Sequence, residues 1–292
     1  MPELPEVETV KNGLAPIMEG RTFKSVLLNR KDIRFPFPND FITRLEGKTL
    51  IRLTRRAKFL VAELSSGETL LMHLGMSGRF TIEAGTDDPG HAPRSTSLVP
   101  IDSGNTNPKH DHVIFTMSGD PPPLIIYNDP RRFGFMELLE KGELGRMKDL
   151  GPEPLSNQFS GPILRDALTK KKSPIKTALL DQRVVAGLGN IYVCEALYDS
   201  KISPFRKSCD VSQDECETLS HEIKRTLEAA IKAGGSTLKD FAGVDGALGY
   251  FQHRFKVYGH EEHACPTTGC KGTITRAKQS GRSTFYCPHC QI

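Results

Sequence analysis

A chain of 292 residues, 37% hydrophobic and 25% charged, has the apolar material for a real core and room for two domains. Its formal net charge of +4 and pI near 8.6 permit a polyanionic partner without demanding one. No apolar run approaches the roughly 18 residues of a membrane span, and the opening residues lack the basic and apolar regions of a secretory signal.

After the opening MPELP, apolar residues at Val7, Val10, Leu14, Ile17 and Met18 predict a helix. Pro5 suits its first turn, Glu6 and Glu8 suit the positive end of its dipole, and Pro16 is expected to end or kink it. Residues 21–81 change to short runs rich in Val, Ile, Leu and Thr, bounded by Gly or Ser, which predict strands. Residues 85–109, dense in Pro, Gly, Ser, Asn and Asp, predict a long surface loop. Strand patterns resume at 112–117, 123–128 and 133–139. Gly-Pro and Pro punctuation at 147–157 marks a domain boundary. Beyond it, 161–171, 173–181, 190–200 and 212–234 predict helices. The last carries the stripe Leu219, Ile223, Leu227 and Ile231 and a Gly234 stop. Residues 234–251 are Gly-rich and predict a flexible segment.

Of seven cysteines, Cys194, Cys209 and Cys216 are scattered, whereas Cys265, Cys270, Cys287 and Cys290 crowd the last 28 residues. An odd count without a secretory signal argues against a disulfide framework and for a metal site in a reducing compartment. Four thiolates complete a tetrahedral zinc and leave no open position, so the expected site is one structural zinc. His260, His263 and His289 are rival ligands. Between the cysteine pairs, TITRA and RSTFY predict a hairpin joined by Gln279-Ser280-Gly281. A minidomain of this size buries too little to fold without a staple.

Other signals are weaker alone. Gly187-Leu188-Gly189-Asn190 has Tyr192 where a dinucleotide fingerprint needs its third Gly, and it follows a helical region. It predicts either a plain interhelical turn or a phosphate-binding helix start. Basic clusters at Arg52, Arg55, Arg56 and Lys58, at Arg131 and Arg132, and at Lys170, Lys171, Lys172 and Lys176 are each ordinary solvated faces. Together with Arg276, Lys278 and Arg282 on the hairpin they suggest a track for a phosphate backbone. His73 alone reads as a structural histidine and Met76 alone as core. At the N-terminus, Pro2 is small enough for the initiator Met1 to be removed. Its secondary amine, with a pKa of about 7.7–8.0, would then be partly neutral and nucleophilic, with the Glu3 carboxyl beside it to handle protons.

In this order, PELPEVET, RRAKFL, HLGMSG, DPRRFG, LGPEPL, GLGNIY, TLKDF and the four-cysteine finger resemble the bacterial formamidopyrimidine-DNA glycosylase family, which repairs 8-oxoguanine. The x4 spacing of the first cysteine pair departs from the more familiar x2, and the 85–109 loop is longer than expected. The resemblance implies an α+β fold. Residues 1–146 would form a β-sandwich with a leading helix, and 147–157 a linker. A helix–two-turn–helix domain would span 158–258, and a zinc-finger hairpin 259–292. It implies Pro2 as nucleophile at C1′, Glu3 as acid/base, Lys58 as proton donor in β-elimination and Arg282 in δ-elimination. His110, Arg131, Lys171 and Asn190 would contact DNA, with Arg132 and Lys176 on the same basic track. Met76, Arg131 and Phe133 would fill the space left by a flipped base, and Lys239 would lie in the loop closing over that base. The partner would be double-stranded DNA carrying oxidised purines or abasic sites, in a basic cleft between the domains, and the protein a cytoplasmic monomer. An endonuclease VIII-like glycosylase for oxidised pyrimidines and a non-catalytic DNA-binding zinc protein are the rival readings.

Overall fold

The computed structural model describes residues 2–84, 107–237, 244 and 248–292. The chain divides into two compact units, Met1–Gly145 with Gly234–Gly249, and Arg146–Ala233 with Tyr250–Ile292. The segment Gly234–Gly249, which the sequence reading includes in 158–258, therefore packs with the N-terminal unit.

In the first unit, α1 (Leu4–Met18) starts on Glu3 as its N-cap, and the Glu3 N–H donates to Glu6 Oε2 at 2.8 Å. The helix runs past Pro16 and ends at Met18. Pro16 stands in the last turn, where its missing N–H forfeits one backbone bond, and the burial of Leu14 and Met18 outweighs that loss. Among the described residues eight strands follow: β1 (Phe23–Leu28), β2 (Leu50–Arg56), β3 (Phe59–Leu64), β4 (Thr69–His73), β5 (Arg79–Ala84), β6 (Asp111–Met117), β7 (Pro123–Asn128) and β8 (Phe135–Leu139). A five-residue helix, α2 (Phe41–Leu45), lies between strand segments in the 21–81 region. It buries Phe41 and Leu45 and is too short for periodicity to reveal. The strands form two antiparallel sheets of four, in the orders β1-β6-β7-β5 and β2-β3-β4-β8. Val26, Phe115, Ile125 and Phe80 of one sheet share a core with Leu53, Leu60, Leu70 and Met136 of the other and with Val7, Val10 and Leu14 of α1. This is a β-sandwich led by a helix.

The second unit holds α3 (Gly161–Leu168), α4 (Ile175–Leu179), α5 (Asn190–Asp199) and α6 (Gln213–Lys232). Ser212 and Glu215 cap α6 reciprocally, at 3.2 and 2.7 Å. Leu219, Ile223 and Leu227 are buried as the stripe predicts, but Ala230 replaces Ile231. A strict four-residue spacing drifts by about 40° per step on a 3.6-residue helix, so the stripe leaves the core after three steps. The finger hairpin follows as β9 (Thr275–Gln279) and β10 (Arg282–Tyr286). Its turn is the pair Ser280-Gly281, with φ of +47° and +77°, so Gln279 is the last strand residue rather than part of the turn. Buried Glu195 of α5 accepts the backbone N–H groups of Lys256, Val257 and Tyr258 at 2.9, 3.1 and 2.8 Å and fixes the entry to the finger. Burial raises its pKa despite these donors.

Candidate catalytic and nucleic-acid-binding site

The sequence that predicted a capped helix start also buries it. Pro2 is buried, and Glu3 and Glu6 are only 3% and 2% exposed. Glu6 Oε1 accepts the Ser236 N–H at 2.9 Å and its hydroxyl at 3.0 Å, tying the first turn of α1 to the segment after α6. Lys58 is buried in the β2–β3 turn, which Ala57 closes with a φ of +53°. Arg55, next to that turn, donates to Glu8 Oε2 at 2.6 Å and to the Ala57 carbonyl at 3.0 Å. The Glu8 ion pair thus sets the Lys58 turn beside the N-terminal half of α1. Burial alone would raise the Glu8 carboxyl, but hydrogen bonds from Lys11 and Arg55 hold it below its usual range.

A second cluster gathers Met76, Arg131 and Phe133. Asp129, fully buried, organises both loops that carry them. Its Oδ1 accepts the Ser77 hydroxyl at 2.6 Å and the Arg131 N–H at 3.3 Å, and its Oδ2 accepts the Gly134 N–H at 2.8 Å. The loops touch so closely that a Cβ on Gly75 would lie 2.3 Å from the Phe133 carbonyl carbon, and Gly75 itself has a φ of +63°. The Arg131 guanidinium stands 5.0 Å from the centre of the Phe133 ring, which is 42% exposed. Below them, a cavity of about 670 Å³ is lined by His73, Met76, Arg131, Phe133, Arg34 and Phe35. The backbone of His110 is tied to the same cluster, since the Asp129 N–H donates to its carbonyl at 3.0 Å. His110 ends a short 3₁₀ turn, Pro108–His110, that begins in the stretch 85–109 read as loop; residues 85–106 of that stretch lie outside the described residues.

The third cluster is the cysteines. The sulfurs of Cys265, Cys270, Cys287 and Cys290 all lie within 4.8 Å of one another, with Cys265–Cys290 at 3.7 Å and Cys270–Cys287 at 3.8 Å. A tetrahedral zinc with Zn–S bonds of about 2.3 Å places its sulfurs about 3.8 Å apart, so the set fits the ion. Among the described residues no histidine joins this group. Tyr198 of α5 meets Cys265 Sγ at 3.2 Å and Thr267 Oγ1 at 2.6 Å, attaching the cysteine cluster to the helices.

Three family models match consecutive parts of the chain. A family model described as the formamidopyrimidine-DNA glycosylase N-terminal domain matches residues 1–136, one described as that enzyme's H2TH domain matches 150–242, and a zinc finger found in FPG and IleRS matches 263–292. The formamidopyrimidine-DNA glycosylase of Caulobacter vibrioides is 51% identical over 297 residues, covering 100% of both chains. This chain belongs to the formamidopyrimidine-DNA glycosylase family. The Bradyrhizobium sp. (strain BTAi1) member is 50% identical over 304 residues, again covering 100% of both. The crystal structure of the MutM (FPG) protein from Thermus thermophilus matches with a TM-score of 0.81 at 34% identity, over 99% of this chain and 98% of that one. Lactococcus lactis Fpg in complex with abasic-site DNA matches with a TM-score of 0.82 at 33% identity, over 100% of each chain.

Within this family member the remaining expected DNA contacts are placed unequally. Arg131, Arg132 and Arg282 are exposed. Lys171 rests its ammonium on Asp181 at 3.3 Å. Hydrogen bonding from Arg183, against the opposing effect of burial, lowers that carboxyl to about 2. Asn190 opens α5, where its Nδ2 donates to the Ser283 carbonyl at 3.0 Å and its Oδ1 is buried without a hydrogen-bond partner among the described residues. Lys176 requires correction. It is fully buried, with its ammonium on the Ser283 carbonyl at 2.9 Å and Thr284 Oγ1 at 2.8 Å, so no phosphate reaches it. It shares its local run of lysines with exposed Lys170, but α4 turns it inward. Lys239 lies outside the described residues. Sequence reasoning missed Asp129, Ser77 and Ser236, and saw Glu6 only as a first-turn acid of α1. The one available signal was the acidic residue opening DPRRFG, since a carboxylate two residues before a backbone N–H readily makes such a turn.

Proposed function

We propose that this chain is a bifunctional DNA glycosylase and AP lyase of base excision repair, acting on 8-oxoguanine and formamidopyrimidines in duplex DNA. The observation that carries this reading is the buried Pro2-Glu3 pair at the start of α1, a helix tied to the Lys58 turn through the Arg55–Glu8 ion pair, within the match to the family's N-terminal domain. With Met1 removed, the Pro2 amine attacks C1′. The glycosidic bond breaks, and its electrons leave on the base, which takes up a proton. Glu3 delivers a proton to the sugar ring oxygen as the ring opens to an iminium. Loss of a C2′ proton then expels the 3′ phosphate through C3′–O cleavage, with Lys58 as proton donor. Loss of a C4′ proton expels the 5′ phosphate through C5′–O cleavage. The Arg282 guanidinium suits the charge on that departing phosphate. Water finally hydrolyses the imine and restores Pro2. The four cysteines would hold one structural zinc, which stabilises the finger and leaves no position open for chemistry.

A duplex with one 8-oxoguanine opposite cytosine tests the reading. The expected product is a one-nucleotide gap with phosphate at both ends. An intact strand bearing an abasic site would remove the lyase assignment. Cleavage confined to an oxidised-pyrimidine duplex would favour the endonuclease VIII-like alternative.

The cluster around Asp129 supports roles for Met76 and Phe133 in filling the stack after base extrusion. Phe133→Ala should slow excision by roughly tenfold or more, since an aromatic contact to a base contributes about 1–3 kcal/mol. Binding to undamaged duplex, which phosphate contacts dominate, should stay nearly unchanged across a salt series. Equal losses for damaged and undamaged DNA would contradict the assignment.

A further inference from the structure

Lys176 is buried in the interior of the second unit, where a protonated amine is tolerated only when its donors are bonded. Two of its acceptors lie on β10: the Ser283 carbonyl at 2.9 Å and the Thr284 hydroxyl at 2.8 Å. The Ser283 carbonyl also accepts Asn190 Nδ2 at 3.0 Å. One oxygen, in the residue directly after Arg282, is therefore held from two separate helices, α4 and α5.

The network continues across the hairpin. Thr284 Oγ1, fully buried, donates to Gln279 Oε1 at 2.8 Å, and Gln279 Nε2 donates to the Pro204 carbonyl at 3.1 Å. Gln279 is the register partner of Arg282 across a two-residue turn. The strand residues around the exposed tip are thus fastened to the helical body, while Arg282 at the tip is itself exposed.

From this geometry we infer that Lys176 is a positioning residue. It fixes the hairpin tip against α4 and α5, and so sets where the Arg282 guanidinium stands for the second elimination. The inference rests on the role proposed above for Arg282. It assigns Lys176 no contact with DNA and no part in base removal.

The test compares the first and second strand-cleavage products on a pre-formed abasic duplex. Lys176→Met removes the ammonium but keeps the apolar stem. Thr284→Val removes one acceptor at nearly constant shape and guards against a Lys176→Met protein that fails to fold. Zinc content and 8-oxoguanine release, measured in parallel, should stay at the parent level. The β-product with its unsaturated aldehyde should accumulate, and its conversion to the 3′-phosphate should slow by about ten- to a hundred-fold in Lys176→Met, the scale expected for small misplacement of a reacting group. Thr284→Val should show a smaller shift in the same direction. Arg282→Ala separates the role of the guanidinium from the role of the lysine. If it leaves the product ratio unchanged, the Arg282 reading fails. If it shifts the ratio while folded, zinc-loaded Lys176→Met or Thr284→Val does not, the positioning role is overturned. A general loss of excision in step with both eliminations would likewise overturn it, because a merely structural lysine acts on every step.

Discussion

Leaving one extra residue ahead of Pro2 should abolish excision and strand cleavage on 8-oxoguanine DNA while duplex binding survives. The extension converts a secondary amine, partly neutral near pH 8, into an amide nitrogen with no nucleophilic lone pair. Removing the covalent nucleophile from an active site typically costs roughly 10⁴-fold or more in turnover. The buried setting of Pro2 and Glu3 sharpens the expectation, because an added residue must also displace packed side chains at the start of α1. To separate these effects, the extension is compared with Glu3→Gln. That variant keeps the amine and the volume but removes the proton donor, so it should slow sugar opening while leaving DNA binding intact. An extended protein that excises at the parent rate would place the nucleophile elsewhere.

The second large effect is expected from Cys287→Ser. A serine hydroxyl is a poor zinc ligand, and Cys287 sits fully buried between the hairpin and the cysteine cluster. The finger's own apolar cluster is small. Val257, Ile274 and Phe285 pack with Cys265, Cys287, Cys194 and Tyr198, too little to hold a hairpin without metal. Elemental analysis should give one zinc per parent chain and none per variant chain. Affinity for DNA should fall by roughly tenfold or more as Arg276, Lys278 and Arg282 lose their fixed positions. Far-UV dichroism should change little, because the sandwich and the helices have their own cores. A metal-free variant with full DNA affinity would show that the finger does not bind the duplex.

The elements legible in the sequence were those whose signal is local. The α6 stripe, the short apolar strand runs and the four-cysteine spacing depend on residues close in the chain. The fate of Lys176 was not legible for the opposite reason. Three consecutive lysines precede it, and only the packing of α4 against β10, more than a hundred residues later, turns its side chain inward. Asp129 was hidden in the same way, since the Ser77 it binds lies 52 residues earlier. α2 was not legible because five residues are too few for a helical period to show. Of the catalytic candidates, Pro2 and Glu3 were suggested by their chemistry, whereas the roles of Lys58 and Arg282 came from the family resemblance. An N-terminal proline followed by glutamate stands out because few other arrangements present a weakly basic amine beside a carboxyl.

Borohydride trapping with peptide mapping tests the central proposal most directly. The parent protein is incubated with a single-lesion duplex in the presence of borohydride, which reduces an imine to a stable amine linkage. The expected result is a one-to-one protein–DNA adduct and, after digestion, fragment masses that place the sugar remnant on Pro2. A remnant on Lys58 or any other lysine would contradict it.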